Sequence, residues 1–133
     1  HVAVVRATIA AIRLLPAAER PARVYGCEIW RDLDWLPDNR KVVLDVSDRA
    51  NIAAALSGVF DSQITGGKRY DDAVMGRRRA NATFFESHAV DKATLLTFAM
   101  DLTPLAADES LSMSDYVARL IDELKADVIN RIG

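Results

Sequence analysis

Residues 44–86, LDVSDRANIAAALSGVFDSQITGGKRYDDAVMGRRRANATFFE, decide how the rest of the chain is read. They hold two helix-like patterns of contrasting composition, separated by Gly66-Gly67 and a group of cations. The first pattern starts after Ser47, whose hydroxyl is suited to accept a backbone N–H at a helix start, with Asp48 in the positive first turn. Ile52, Leu56, Val59 and Phe60 recur at helical spacing and are expected to form a core face. Asp61, Ser62 and Gln63 are expected to end this helix. In Gly66-Gly67 either residue can take positive φ, which makes the pair a natural break.

The second pattern opens near Tyr70 with Asp71 and Asp72 in its first turn. Ala73, Arg77, Ala80 and Phe84 fall on one helical stripe, and Val74, Arg78 and Phe85 on the next. Arg77 therefore leaves the helix on the same side as apolar residues, where a guanidinium needs a carboxylate, a phosphate or a set of carbonyls. Pairing with an acid in the core or at a subunit contact is one reading of Arg77, and a substrate clamp is the other. Arg79 points elsewhere, toward solvent.

Outward from this stretch the patterns are simpler. Val2, Val5, Ile9 and Ile12 lie on one helical face, ended by Leu15-Pro16. His1 sits at the start of that helix, where aligned backbone dipoles oppose an imidazolium and leave the neutral ring able to bind a metal; a tag or cleavage remnant and an ordinary exposed histidine are the competing readings, and the residue chemistry alone favours them. Val24 to Trp30 reads as a strand with Tyr25, Cys27 and Ile29 on one face and Val24, Gly26, Glu28 and Trp30 on the other. Glu28 is either a site residue or a strand-end residue in water. Cys27 is expected to be a buried, inert thiol. Arg31 to Asn39 reads as a loop, and Lys41 to Val46 as a short strand covered on both faces.

Lys92 to Met100 fits helix or strand, broken by Asp101 to Pro104. Ser112 with Asp115 three residues on reads as the start of a last helix, whose Val117, Ile121, Leu124, Val128 and Ile132 form a long apolar stripe that must dock on the sheet or on another subunit. His88 has no second histidine at a ligand spacing and reads as a surface residue. Helices alternating with two or more short strands point to an α/β layered architecture.

Composition limits the function. The chain has 133 residues, half of them hydrophobic, with a formal charge of −2; this fits one domain with a modest core and argues against a nucleic-acid groove, which needs clustered Lys and Arg. A single cysteine excludes an internal disulfide and a cysteine-only zinc site. With no run of roughly 20 apolar residues and no signal-peptide pattern, a cytoplasmic protein without a membrane span is expected. No phosphate-cradling glycine loop and no nucleophile elbow is present.

In order along the chain stand His1-Val-Ala-Val-Val-Arg-Ala, a Tyr25-x-x-Glu28-x-Trp30 segment, Ser62-Gln63 after a helix, and an arginine-rich helix from Arg77 to Glu86. This succession resembles the C-terminal half of the LmbE-like, or PIG-L, family of zinc-dependent N-deacetylases. The resemblance implies part of a Rossmann-like three-layer α/β fold with flanking helices, residues 1–133 being one domain or the C-terminal part of a larger one. It implies hydrolysis of the N-acetyl group of an N-acetylglucosamine-type conjugate, with Zn2+ as cofactor and His1 as a metal ligand. Gln63, Arg77 and Arg78 are the candidates for substrate binding or for an interface.

The family's Ala-His-Pro-Asp-Asp segment, which carries two zinc ligands and the general base, is not among the 133 residues. These residues by themselves are therefore expected to be inactive, because one imidazole does not hold zinc against water. The remaining partner expected is the missing N-terminal segment of the same protein, and a homo-oligomer is expected as well. Two other readings stay open: a non-catalytic α/β interaction or oligomerisation module docking through the last helix, and a hydrolase of the same fold with a different leaving group.

Overall fold

The computed structural model describes residues 2–85 and 92–133. Along the chain run α1 (Val2–Arg13), β1 (Tyr25–Gly26), β2 (Lys41–Asp45), α2 (Ala50–Gly58), α3 (Asp61–Ile64), α4 (Tyr70–Phe84), β3 (Leu96–Asp101), α5 (Thr103–Ala107) and α6 (Met113–Ile132), with single turns of 3-10 helix between some of them. Helices and a small sheet in one chain make this an α/β protein. The three strands lie in the order β1-β3-β2, and β1 runs antiparallel to β3 with Tyr25 opposite Asp101 and Gly26 opposite Met100. Beyond β2, the N–H of Val46 donates to the carbonyl of Leu95 at 3.0 Å. The chain divides into two compact units, residues 1–42 with 99–133, and residues 43–98.

The first unit holds most of the buried apolar side chains: Ile9, Leu33, Leu36, Ala99, Leu102, Leu105, Ala106, Tyr116 and Leu120. Its helix α1 packs on α5. Arg13, at the end of α1, donates to the carbonyls of Leu105, Asp108 and Leu111, and so satisfies C-terminal carbonyls that a five-residue helix leaves open. Pro104 occupies the first turn of α5, where its missing N–H costs nothing, so the Asp101 to Pro104 segment starts a helix as well as ending the strand. At the start of α6 the hydroxyl of Ser112 accepts the N–H of Asp115 at 3.1 Å, the cap expected from the spacing.

The segment from Val24 to Trp30 is not a full strand. Tyr25 and Gly26 pair with β3 and the carbonyl of Val24 accepts the N–H of Leu102 at 2.8 Å, after which the chain leaves the sheet into a turn that Glu28 ties: its Oε2 accepts the N–H of Leu33 at 3.2 Å. Asp32 and Leu33 take φ of 53° and 61° there, a costly conformation for non-glycine residues that the burial of Leu33 offsets. Cys27 is consequently exposed and not buried. At Gly26 a Cβ would lie 2.8 Å from Leu102 Cδ1, so a larger residue there would displace the end of the Leu102 side chain. The loop from Arg31 to Asn39 places Leu33 and Leu36 in the core, a role that its lack of periodicity concealed.

In the second unit α2, α3 and α4 pack on one another. The side of α2 turned inward carries Ala53 and Ser57, so Ile52, Leu56, Val59 and Phe60 are exposed, against the expectation of a core face. Small residues allow close helix approach, and close packing selects that side over the bulkier one. Ser47 does not cap α2, which follows a 3-10 turn and has no side-chain cap. Its hydroxyl instead donates to Asp45 Oδ1 and accepts the N–H groups of Thr94 and Leu95 at 2.8 and 3.2 Å, joining the end of β2 to the approach of β3. Asp61 to Ile64 form a separate helical turn instead of the end of α2, and Gly66 and Gly67 take φ of 70° and 82°, as the break requires. On α4 the inward stripe is Val74, Arg78, Ala82 and Phe85, while Ala73 and Phe84 face solvent. The rings of Phe85 and Phe98 meet at 5.0 Å between centroids.

Two further expectations about burial change. β2 is half open, with Val43 exposed, so it is not covered on both faces. On α6 Tyr116 and Leu120 are buried, whereas Ile121, Val128 and Ile132 of the periodic stripe are exposed. No described helix is long and apolar enough to cross a membrane.

Candidate functional site

Gln63, Arg77 and Arg78 all belong to the unit of residues 43–98. Gln63 lies on α3, half-buried, with its Nε2 donating to the hydroxyl of Ser62 at 3.3 Å. The segment is held by its backbone: Gln63 N–H donates to Phe60 O and Thr65 N–H to Asp61 O, at 2.8 and 2.9 Å. The two glycines that follow let the chain reverse into α4.

Arg77 and Arg78 occupy the middle of α4, both half-buried. Arg78 Nη1 lies 3.7 Å from Met75 Sδ, a weak acceptor that leaves most of the guanidinium's hydrogen-bonding capacity to other groups. Arg79 is exposed, as its place on the helix requires. Packing of α3 against α4 brings the Ser62-Gln63 segment and the arginine helix into one unit. A carboxamide and guanidinium groups are donors for hydroxyl, carbonyl and oxyanion oxygens, the chemistry of sugar and phosphate binding.

The cations before α4 are used differently. Arg69 donates through Nε and Nη2 to both carboxylate oxygens of Asp71, at 2.9 and 2.8 Å, and from Nη2 to Asp72 at 3.2 Å. The hydrogen bond from Arg69 is the main cause that lowers the Asp71 carboxyl to about 2. Lys68 lies over the ring of Tyr70, 5.7 Å from its centroid. These charges hold the first turn of α4, where the helix dipole also favours Asp71 and Asp72.

His1 and the segment 86–91, with Glu86, His88 and Asp91, lie outside the described residues. Among the described residues no group of three or more His, Cys, Asp or Glu side chains gathers where a metal ion could sit. The described residues therefore do not form a zinc site by themselves. Glu28 is engaged in the turn to Leu33, the role of a structural acceptor. Trp30 is exposed beside it.

Sequence reasoning missed a concavity in the unit of residues 1–42 and 99–133. Arg40, Lys41, Asp101, Tyr116 and Arg119 line it. The signal available was the Asn39-Arg40-Lys41 run at the entry to β2, which reads as loop chemistry until α6 is placed beside it.

Compared with family models, with curated proteins and with solved structures, the chain matches none.

Proposed function

We propose that residues 1–133 are the C-terminal part of a zinc-dependent N-deacetylase of the LmbE-like type, acting on an N-acetylglucosamine-type conjugate. The observation that carries this reading is the order of motifs: His1 ahead of a helix, Tyr25-x-x-Glu28-x-Trp30, Ser62-Gln63, then the arginines of α4. The packing of α3 on α4 supports it, since it draws two of those motifs into one unit. Exposed apolar side chains on α1 and α2, among them Val2, Val4 and Leu56, fit faces that further polypeptide covers in a three-layer, Rossmann-like domain.

In this reading His1 is one metal ligand, and the other ligands and the general base come from an Ala-His-Pro-Asp-Asp segment encoded upstream. Zinc supplies Lewis-acid activation of an amide carbonyl and a water. The chain's own contribution is substrate placement by Gln63, Arg77 and Arg78. The test is amide hydrolysis by the product of the full reading frame, compared with its Arg77→Ala variant. A fall in kcat/KM with an unchanged Tm is expected. Equal losses of activity and Tm place Arg77 in packing, and absence of turnover on every N-acetylglucosamine conjugate overturns the assignment.

A second reading, an oligomerisation module, is favoured by one feature. Ile121, Val128, Ile129 and Ile132 leave α6 with an exposed apolar side toward its C-terminal end. A concentration-dependent mass in solution that collapses to monomer in a variant of that side, such as Val128→Asp, supports this module; a monomer at all concentrations contradicts it.

A further inference from the structure

We propose that the cavity between β2, β3, α5 and α6 binds a small oxyanion, a carboxylate or a phosphate monoester carried on a single ring. The cavity has a volume of about 300 Å³ and is lined by Asn39, Arg40, Lys41, Asp101, Tyr116 and Arg119 together with apolar residues. Every lining residue belongs to the unit of residues 1–42 and 99–133. That volume is at the lower end for small-molecule sites, which limits the occupant to about one ring and its acid group.

The donors are held in place before any ligand arrives. Tyr116, buried in the core, donates its hydroxyl to the carbonyl of Asp101 at 2.7 Å, which fixes the ring. Arg119 lies over that ring, 5.3 Å from its centroid. A guanidinium held over a ring by its charge still has N–H groups to donate to an oxyanion. Arg119 has no ion pair with a carboxylate among the described residues.

Arg40 is clamped from outside the cavity lining by Glu123, which takes its Nε at 2.9 Å and Nη2 at 3.2 Å. Nη1 makes no hydrogen bond among the described residues. Lys41 is paired with Asp38 at 2.8 Å, also outside the lining. The one carboxylate in the lining, Asp101, already accepts the N–H of Thr103 on Oδ1 at 2.9 Å. Arg119 and the Nη1 of Arg40 are thus the cationic donors left to a ligand in the lining, and the group that suits them is an oxygen-rich anion. Val42, Met100, Pro104 and Leu120 supply the apolar wall for its ring.

The test is a titration of the protein, followed by backbone amide NMR, with phenyl phosphate, benzoate and neutral benzyl alcohol as probes. Saturable shifts at Arg40, Lys41, Tyr116, Arg119 and Leu120 are expected with one or both anions. Tighter binding of phenyl phosphate assigns a phosphate, and tighter binding of benzoate a carboxylate. Arg119→Gln is expected to weaken binding about tenfold, the loss of a charge-assisted pair of hydrogen bonds. Arg131→Gln, which removes the cation paired with Asp127 at the far end of α6, leaves it unchanged. If Arg119→Gln loses helical structure by circular dichroism, Asn39→Ala replaces it, with a smaller loss expected. Equal binding of benzyl alcohol, no saturable shift with either anion, or full affinity in the folded variant overturns the proposal.

Discussion

Arg13 Nε donates to the carbonyl of Leu105 at 2.7 Å, joining the last turn of α1 to the end of α5 across 92 positions of sequence. The same guanidinium reaches Asp108 and Leu111, both at 2.8 Å. One cation therefore closes a helix end and the loop after it. Arg13→Met leaves these carbonyls without their donor and is expected to cost about 2–4 kcal/mol in chemical denaturation. Arg13→Lys should recover only part of that loss, because a single ammonium cannot present a planar fork to three acceptors.

The Asp71 carboxyl, held at about 2 mainly by its hydrogen bond from Arg69, fixes a sign for the acid response. A depressed folded-state pKa means that the pair stabilises the native state above the unfolded value of about 4, and that this contribution fades as pH falls toward about 2. Carbon-detected NMR titration of the Asp71 carboxyl is expected to give a midpoint of about 2. In Arg69→Gln the midpoint moves up into the ordinary aspartate range.

Two leucines separate burial from periodicity. Leu36, in a loop, is 2% exposed, whereas Leu56, on the apolar face of α2, is 61% exposed. Leu36→Ala should cost about 2–5 kcal/mol. Leu56→Ala should stay within about 0.5 kcal/mol. Urea midpoints of the two variants with unchanged slopes measure the contrast.

Ser47 carries more structure than a helix cap. Its Oγ donates to Asp45 Oδ1 at 2.5 Å and accepts from Thr94 and Leu95. The bond from Ser47 is the leading reason that Asp45 titrates below the ordinary aspartate range. Ser47→Ala should lower the melting temperature and raise the Asp45 midpoint, seen by thermal melts and by NMR titration.

Helix positions were legible where a local signal sets them. Pro16 after α1, Gly66-Gly67 before α4, and Ser112 with Asp115 at α6 each act through a few neighbouring residues. Burial was not, because it depends on which side of a helix meets its neighbour. Ala53 and Ser57 won that contact on α2 over a stripe of larger apolar residues, and Tyr116 and Leu120 won it on α6 over the stripe of Ile121, Val128 and Ile132. The short extent of the strand within Val24 to Trp30 was not legible for a related reason: Glu28 serves a turn whose strained residues, Asp32 and Leu33, carry no glycine to announce it. Of the candidate site, the sequence named Gln63, Arg77 and Arg78 individually, and the packing of α3 on α4 became visible only in three dimensions. The cavity of Arg40 and Arg119 was hidden because its walls come from distant parts of the chain.

Metal analysis of the protein produced from the full reading frame tests the deacetylase assignment most directly. One zinc ion per chain, lost on His1→Ala while the circular dichroism of the helices is kept, is the expected result. A purified protein that takes up no zinc when it is supplied, or one whose zinc is indifferent to His1→Ala, contradicts the assignment.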